Sequence, residues 1–153
     1  MAKPIYILNG PNLNRLGKRE PEIYGKTTLA EVETWCREAA KNAAVEFRQT
    51  NSEAQLIDWV HEAIDEGCGI VINPAAFTFT SLALLDALKM FPGPIIELHI
   101  SNIHTREAFR HPSLVSLAVR GVIAGCGVMS YELAVAAAAR MVSTGAPVPA
   151  AKP

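Results

Sequence analysis

The residues best suited to chemistry lie in Pro94-Ile-Ile-Glu-Leu-His-Ile-Ser101, where Glu97, His99 and Ser101 alternate with Leu98 and Ile100 and so share one face of a strand. A carboxylate beside an imidazole in an otherwise apolar strand is costly to bury unpaired. The pattern therefore reads as a carboxylate holding and polarising the ring, an acid/base pair. A hydrogen-bonded histidine of purely structural role would leave the same pattern. Directly downstream, Asn102-Ile-His-Thr-Arg-Glu-Ala-Phe-Arg-His111 sets Arg106 and Arg110 four apart, on one face if the segment is helical. Two guanidiniums beside a pocket favour an anionic or polyhydroxylated ligand, although an exposed charged turn has the same composition.

Two further stretches carry polar groups that could meet a ligand. The connection from Asn9 to Lys26 is far longer than the usual βα loop of about 2–6 residues. Its glycines and prolines fit a hinged lid, and Asn12, Arg19 and Tyr24 offer an amide, a permanent cation and a phenol; an inert surface loop is the plain alternative. In Ile72-Asn-Pro-Ala-Ala-Phe-Thr-Phe-Thr-Ser81, Asn73, Thr80 and Ser81 stand where a ligand could meet a helix N-terminus, and capping explains Thr80 or Ser81 equally well. His99, His104 and His111 with Glu97 match no usual metal-ligand spacing, and orienting His99 is the better use of the carboxylate.

These stretches must be held by elements that the apolar pattern announces. Ile5 to Leu8, Val45 to Thr50, Gly69 to Asn73, Pro94 to Ile100 and Leu117 to Ala124 read as strands. Helices read from Thr28 to Ala44, from the Ser52-x-x-Gln55 cap to Gly67, from Ser81 to Met90 and from Ser130 to Val142. Thr28-x-x-Glu31 predicts a capping box in which each side chain meets the other residue's backbone N–H. The methionines Met90, Met129 and Met141 and both tryptophans read as core. This βαβα order, with right-handed crossovers, predicts an α/β fold of flavodoxin-like order: a five-stranded parallel sheet with helices on both faces. Ligands of such sheets lie beyond the carboxyl ends of the strands, where the polar stretches fall.

Composition bounds the possibilities. The chain has 153 residues, half of them hydrophobic, which is the size of one domain able to form a core without staples. Residues 1–144 are read as that domain and 145–153, with three prolines, as a frayed tail. Fourteen basic residues against fifteen acidic, with no run of like charge, leave no footprint for nucleic acid. No stretch suits a membrane span, and the N-terminal apolar run is too short for a signal peptide. Three scattered cysteines, Cys36, Cys68 and Cys126, fit a reducing cytoplasm.

Taken together, Leu8-Asn-Gly-Pro-Asn-Leu-Asn, Arg19-Glu-Pro-x-Ile-Tyr-Gly25, Asn73-Pro and Glu97-x-His-Ile-Ser-Asn-Ile-His-x-Arg106 make the chain resemble type II 3-dehydroquinate dehydratase from about Ile5 to Leu133. The resemblance implies reversible loss of water from 3-dehydroquinate to give 3-dehydroshikimate through an enolate. It also implies no metal or organic cofactor, and a homododecamer assembled from trimers. It assigns Tyr24 as the base, with Arg19 and Arg106 supporting a phenolate, since a free phenol ionises only near pH 10. It has Asn12 holding a water or the enolate oxygen, and His99, oriented by Glu97, protonating the departing hydroxyl. Asn73, Arg110 and the backbone at Ile100 and Ser101 would bind substrate, joined by Asp86 from a neighbouring subunit. The same interconversion serves shikimate biosynthesis and quinate breakdown. No lysine stands at a strand end where desolvation would suit a Schiff base.

The chain departs from the family loop Asn-Pro-Gly-Ala-Tyr-Thr-His-Thr-Ser by carrying Ala75, Phe77 and Phe79 at the glycine, tyrosine and substrate-binding histidine positions. Phenylalanine cannot hydrogen-bond a ring hydroxyl, which predicts weaker binding or a changed substrate. Two other functions fit the same residues: a paralogue dehydrating a related hydroxy-acid, and a non-catalytic ligand-binding protein on the same fold.

Overall fold

The computed structural model describes residues 2–145. Beyond Gly145 the tail read as frayed lies outside the described residues. Five strands, β1 (Ile5–Asn9), β2 (Val45–Gln49), β3 (Gly69–Asn73), β4 (Ile95–His99) and β5 (Gly121–Ala124), pair in parallel in the order β2-β1-β3-β4-β5. The crossovers are carried by α2 (Leu29–Ala40), α3 (Glu53–Glu66) and α5 (Leu82–Lys89), and α6 (Met129–Thr144) follows β5; short helices α1 (Pro21–Tyr24) and α4 (Phe77–Thr80) sit in the loops after β1 and β3.

β1, β3 and β4 are buried along their whole length, which is why they read as near-continuous apolar runs: helices cover both faces. Alternate residues serve opposite layers. Ile7, Val71, Ile96 and Leu98 pack with Val32 and Cys36 of α2 and Val135 and Ala138 of α6. Tyr6, Leu8, Ile70 and Ile72 pack with Leu56 and Val60 of α3 and Leu84 and Leu88 of α5. Each Val, Leu or Ile among them taken fully from water contributes about 1.5–3 kcal/mol before the entropy of ordering it is subtracted.

Helix starts follow the sequence with one change. Thr28 Oγ1 accepts from the Glu31 N–H at 3.3 Å, but the Glu31 carboxylate takes the Thr28 hydroxyl, at 3.2 Å, instead of a backbone N–H, so half of the capping box is replaced by a side-chain bond. Ser52 and Ser81 cap α3 and α5 through Gln55 and Leu84 N–H at 3.2 and 3.0 Å.

Three readings need correction. The helix read to Ala44 ends at Ala40, because Lys41 adopts φ 56° and turns the chain into β2. The strand read from Leu117 begins only at Gly121: Val115–Ala118 forms a 3₁₀ turn, and β5 pairs with β4 only from Ile96↔Gly121 to His99↔Ala124, so nothing holds Leu117 in a ladder. Leu117 is 65% exposed, and Met90 and Met129, read as core, are each 55% exposed because helical spacing turns them away from the sheet.

Candidate active site

In a sheet of this order, the strand sequence reverses between β1 and β3, and the loops leaving their carboxyl ends part to form a cleft. That cleft is lined from the β1 side by Asn12, Arg19 and Tyr24, from the β3 side by Asn73, Ala75 and Phe79, and from the β4 side by His99, Ile100 and Ser101. Arg106 and Arg110 close it. All the polar stretches singled out in the sequence thus contribute to one site. Thr80 and Ser81 do not: Thr80 Oγ1 donates to the Ala76 carbonyl at 3.4 Å and Ser81 is the α5 cap. Asp86 stands on the exposed face of α5 and does not line the cleft.

The long connection after β1 is built rather than loose. Leu13 and Leu16 are buried in the core, a 3₁₀ turn runs over Leu13–Arg15, and α1 carries Tyr24. Its first residues are tied to neighbouring strands: the Gly10 N–H donates to the Asn73 carbonyl at 2.8 Å, and the Asn12 N–H donates to Asn51 Oδ1 at 2.9 Å. Gly10 comes so close to the β3 loop that a Cβ there would lie 2.5 Å from the Pro74 carbonyl oxygen, so only glycine lets the two loops meet. Asn12 (φ 71°) and Ala75 (φ 52°), both lining the cleft, occupy the left-handed region. For Ala75 that conformation costs about 1–2 kcal/mol, the physical reason a glycine suits this position.

Two polar pairs dominate the cleft. In the first, Arg106 Nη1 donates to Tyr24 Oη at 3.0 Å, and the Arg19 guanidinium lies 4.8 Å from the centre of the Tyr24 ring. Two cations therefore face one phenol. Arg19 also pairs with Glu20 at 2.9 Å, a half-exposed contact of small energetic weight. In the second pair, His99 Nε2 meets Glu97 Oε2 at 2.5 Å, with Glu97 wholly buried and His99 5% exposed. This holds the ring by one nitrogen and leaves Nδ1 for the cleft, the arrangement of an oriented acid/base rather than of an isolated core histidine. Phe79 stacks against His99, with ring centres 6.3 Å apart and planes 24° off parallel, and presents an apolar wall.

Arg106 and Arg110 do not share a helical face as the spacing suggested. Two separate 3₁₀ turns, Ile103–Thr105 and Ala108–Arg110, replace a helix, with Arg106 extended between them. Asn102 caps the start of the first turn by accepting the His104 N–H at 3.1 Å, and the extended backbone of Arg106 ends it. The two guanidiniums reach the cleft nonetheless, Arg110 steadied by Glu107 at 2.6 Å.

Supporting residues escaped sequence reading. Asn73 Nδ2 donates to Tyr131 Oη at 3.0 Å, and Tyr131, wholly buried in α6, donates to Asn9 Oδ1 at 2.6 Å. Burial pushes the Tyr131 phenol well above its ordinary value, so it stays neutral and keeps its proton for Asn9. Ser113 and Ser116 reach the Glu97 carboxylate from the segment before β5. Neither serine nor Tyr131 carries a local signal, since spacing cannot show which distant strand end they meet.

The profile of the family described as Dehydroquinase class II matches residues 3–139. The 3-dehydroquinate dehydratase of Streptomyces avermitilis is 59% identical over 145 residues, covering 93% of this chain and 91% of its own. The enzyme of the same name from Cereibacter sphaeroides is 61% identical over 137 residues, 88% of this chain and 93% of that one. The crystal structure of type II dehydroquinase from Propionibacterium acnes superposes with a TM-score of 0.87 at 48% identity, over 92% of this chain and 98% of that chain. A sheet of this order, a cleft at its switch point and a match running from the first strand into the last helix agree with one another: the chain belongs to the class II dehydroquinase family.

Proposed function

We infer that the chain catalyses the reversible dehydration of 3-dehydroquinate to 3-dehydroshikimate, acting as a hydro-lyase. The observation that carries the reading is that a phenol faced by two cations and an imidazole held by a buried carboxylate line the same cleft. Elimination next to a ketone needs a base for the α-proton, a stabiliser for the enolate oxygen and an acid for the departing hydroxyl.

In this reading Tyr24, as phenolate, takes the proton from the carbon between the ketone and the C1 hydroxyl. The electron pair moves onto the carbonyl oxygen, whose charge Asn12 meets directly or through a water. The enolate then collapses to the conjugated ketone, expelling the C1 hydroxyl, which leaves as water with a proton from His99. Glu97 stabilises the imidazolium before that transfer. Arg106 meets the Tyr24 oxygen and Arg19 faces its ring, and Asn73, Arg110 and the backbone at Ile100 and Ser101 hold the substrate. The proton on Tyr24 and the vacancy on His99 are restored through solvent as product leaves. Residues 1–144 serve as one catalytic domain.

We extend the reading to a homododecamer built from trimers, in which Asp86 completes a neighbour's site. Its support is that Leu82 and Asp86 on α5 and Met90 just beyond its end, spaced four apart, are all exposed, with Leu82 at 63% and Met90 at 55% exposure. The three free cysteines suit a cytoplasmic location.

The test is direct. Purified protein given 3-dehydroquinate is expected to develop enone absorbance, and Tyr24→Phe or His99→Ala to abolish it with the assembly intact by sizing. Absence of absorbance from the assembled parent ends this reading.

A further inference from the structure

The Glu97 carboxylate has more partners than His99. Its Oε1 accepts from Ser116 Oγ at 2.6 Å, and Ser113 Oγ lies 3.1 Å from Oε2 and 3.4 Å from Oε1. The Ser116 N–H donates to Ser113 Oγ at 3.0 Å, occupying one of that hydroxyl's two lone pairs, while its single proton goes to the carboxylate. With His99 on Oε2, a carboxylate that has no contact with water is met by three donors. The turn bearing the serines is itself anchored: Val115 is wholly buried, and the Leu114 N–H donates to the Thr78 carbonyl at 2.9 Å.

We propose that Ser113 and Ser116 are positioning residues for the acid/base step, locking the plane of the Glu97 carboxylate so that Oε2, and hence His99 Nδ1, keeps one direction toward the cleft. The physical reason is that a carboxylate bound only through one oxygen can swing about its terminal torsion, which is broad and roughly two-fold, and would carry the imidazole with it. Donors on both oxygens, set on a preformed turn, remove that freedom before substrate arrives. Neither serine lines the cleft, so the effect on the reaction passes entirely through Glu97 and His99.

This inference rests on the dehydratase reading, and the experiment separates the two. Ser116→Ala is expected to lower kcat for 3-dehydroquinate about 10-fold with KM within twofold of the parent, and Ser113→Ala/Ser116→Ala to lower it further, toward about 100-fold, by analogy with the roughly 10–100-fold that outer partners of metal-bound histidines command. Ser116→Thr, which keeps the hydroxyl, is expected to recover most of the kcat that Ser116→Ala loses. Spectra of 15N-histidine-labelled protein supply a readout independent of turnover: the His99 Nε2 proton signal is expected to move in Ser116→Ala and to return in Ser116→Thr. A His99 signal unchanged in Ser116→Ala, or a kcat unchanged beside a lowered melting temperature, overturns the proposal. A parent protein without turnover defeats the dehydratase reading instead, and the His99 signal then decides the serines' role alone.

Discussion

Replacing Arg106 by methionine removes one cation from the candidate base while leaving an unbranched side chain in the same space. In the structure the Arg106 guanidinium donates to Tyr24 Oη at 3.0 Å, and both side chains are half-buried. At that separation, with an effective dielectric constant of about 20, a unit positive charge and a phenolate attract by roughly 5–6 kcal/mol. Water entering the vacated space returns much of this, and hydrogen bonds to charged groups contribute about 1.5–3 kcal/mol net. Arg19, 4.8 Å from the ring centre, keeps its share of the field. A transition state destabilised by about 1.5–3 kcal/mol lowers kcat about 10- to 150-fold, since each ~1.36 kcal/mol is tenfold. The assay is enone absorbance at saturating 3-dehydroquinate, with KM measured separately because Arg106 also borders the substrate space. Arg106→Lys, a point charge without the planar fork, is expected to recover part of the loss. A kcat within threefold of the parent for Arg106→Met, in an assembly of unchanged melting temperature, would refute the link between this contact and proton abstraction.

Further outcomes follow from the same geometry. Phe79→His puts a hydrogen-bonding ring where an apolar one stacks on His99; KM for 3-dehydroquinate is expected to fall about 2- to 10-fold, the worth of one hydrogen bond of about 0.5–1.5 kcal/mol, and an unchanged or higher KM counts against hydroxyl recognition there. Tyr131→Phe strands Asn9 Oδ1 and frees Asn73 Nδ2 in the core. A loss of about 1–3 kcal/mol is expected in urea unfolding, with KM raised more than kcat is lowered; equal stability and KM sink the relay. Glu62 is held below its ordinary 4.5 by hydrogen bonds from Arg48 first and Tyr6 second. A carboxyl lowered on folding stabilises above its unfolded value and loses that contribution as pH falls through its folded one. The urea-midpoint difference between parent and Glu62→Gln is therefore expected to be full at pH 7 and to shrink below pH 4.5. A difference constant down to pH 2 contradicts the assignment.

Both the fold and half of the site could be read from local pattern. The uninterrupted apolar run of β3 announces a strand covered on both faces, and Ser52 and Ser81 announce the starts of α3 and α5. Glu97 and His99 could be paired from spacing because residues two apart in a strand share a face by geometry, and they meet at 2.5 Å. The same reasoning failed where its assumed period was wrong. Arg106 and Arg110 would share a face only on a helix, but Arg106 is extended between two 3₁₀ turns, and the apolar run at Leu117 reads as a strand that has no partner to hold it.

What the amino-acid order determined by itself is what depends on a few neighbouring residues: strand or helix, cap, and which side chains share a face. The order β2-β1-β3-β4-β5 also followed, because handed crossovers leave few ways to close such a chain. Tertiary structure alone decided which distant groups meet: Arg106 on Tyr24, 82 residues apart, Ser116 on Glu97, 19 apart, and Tyr131 on Asn9, 122 apart. Such contacts are set by packing of whole elements across the sheet, where a shift of one residue in register would move each donor away from its acceptor. No periodicity within the chain encodes that registry.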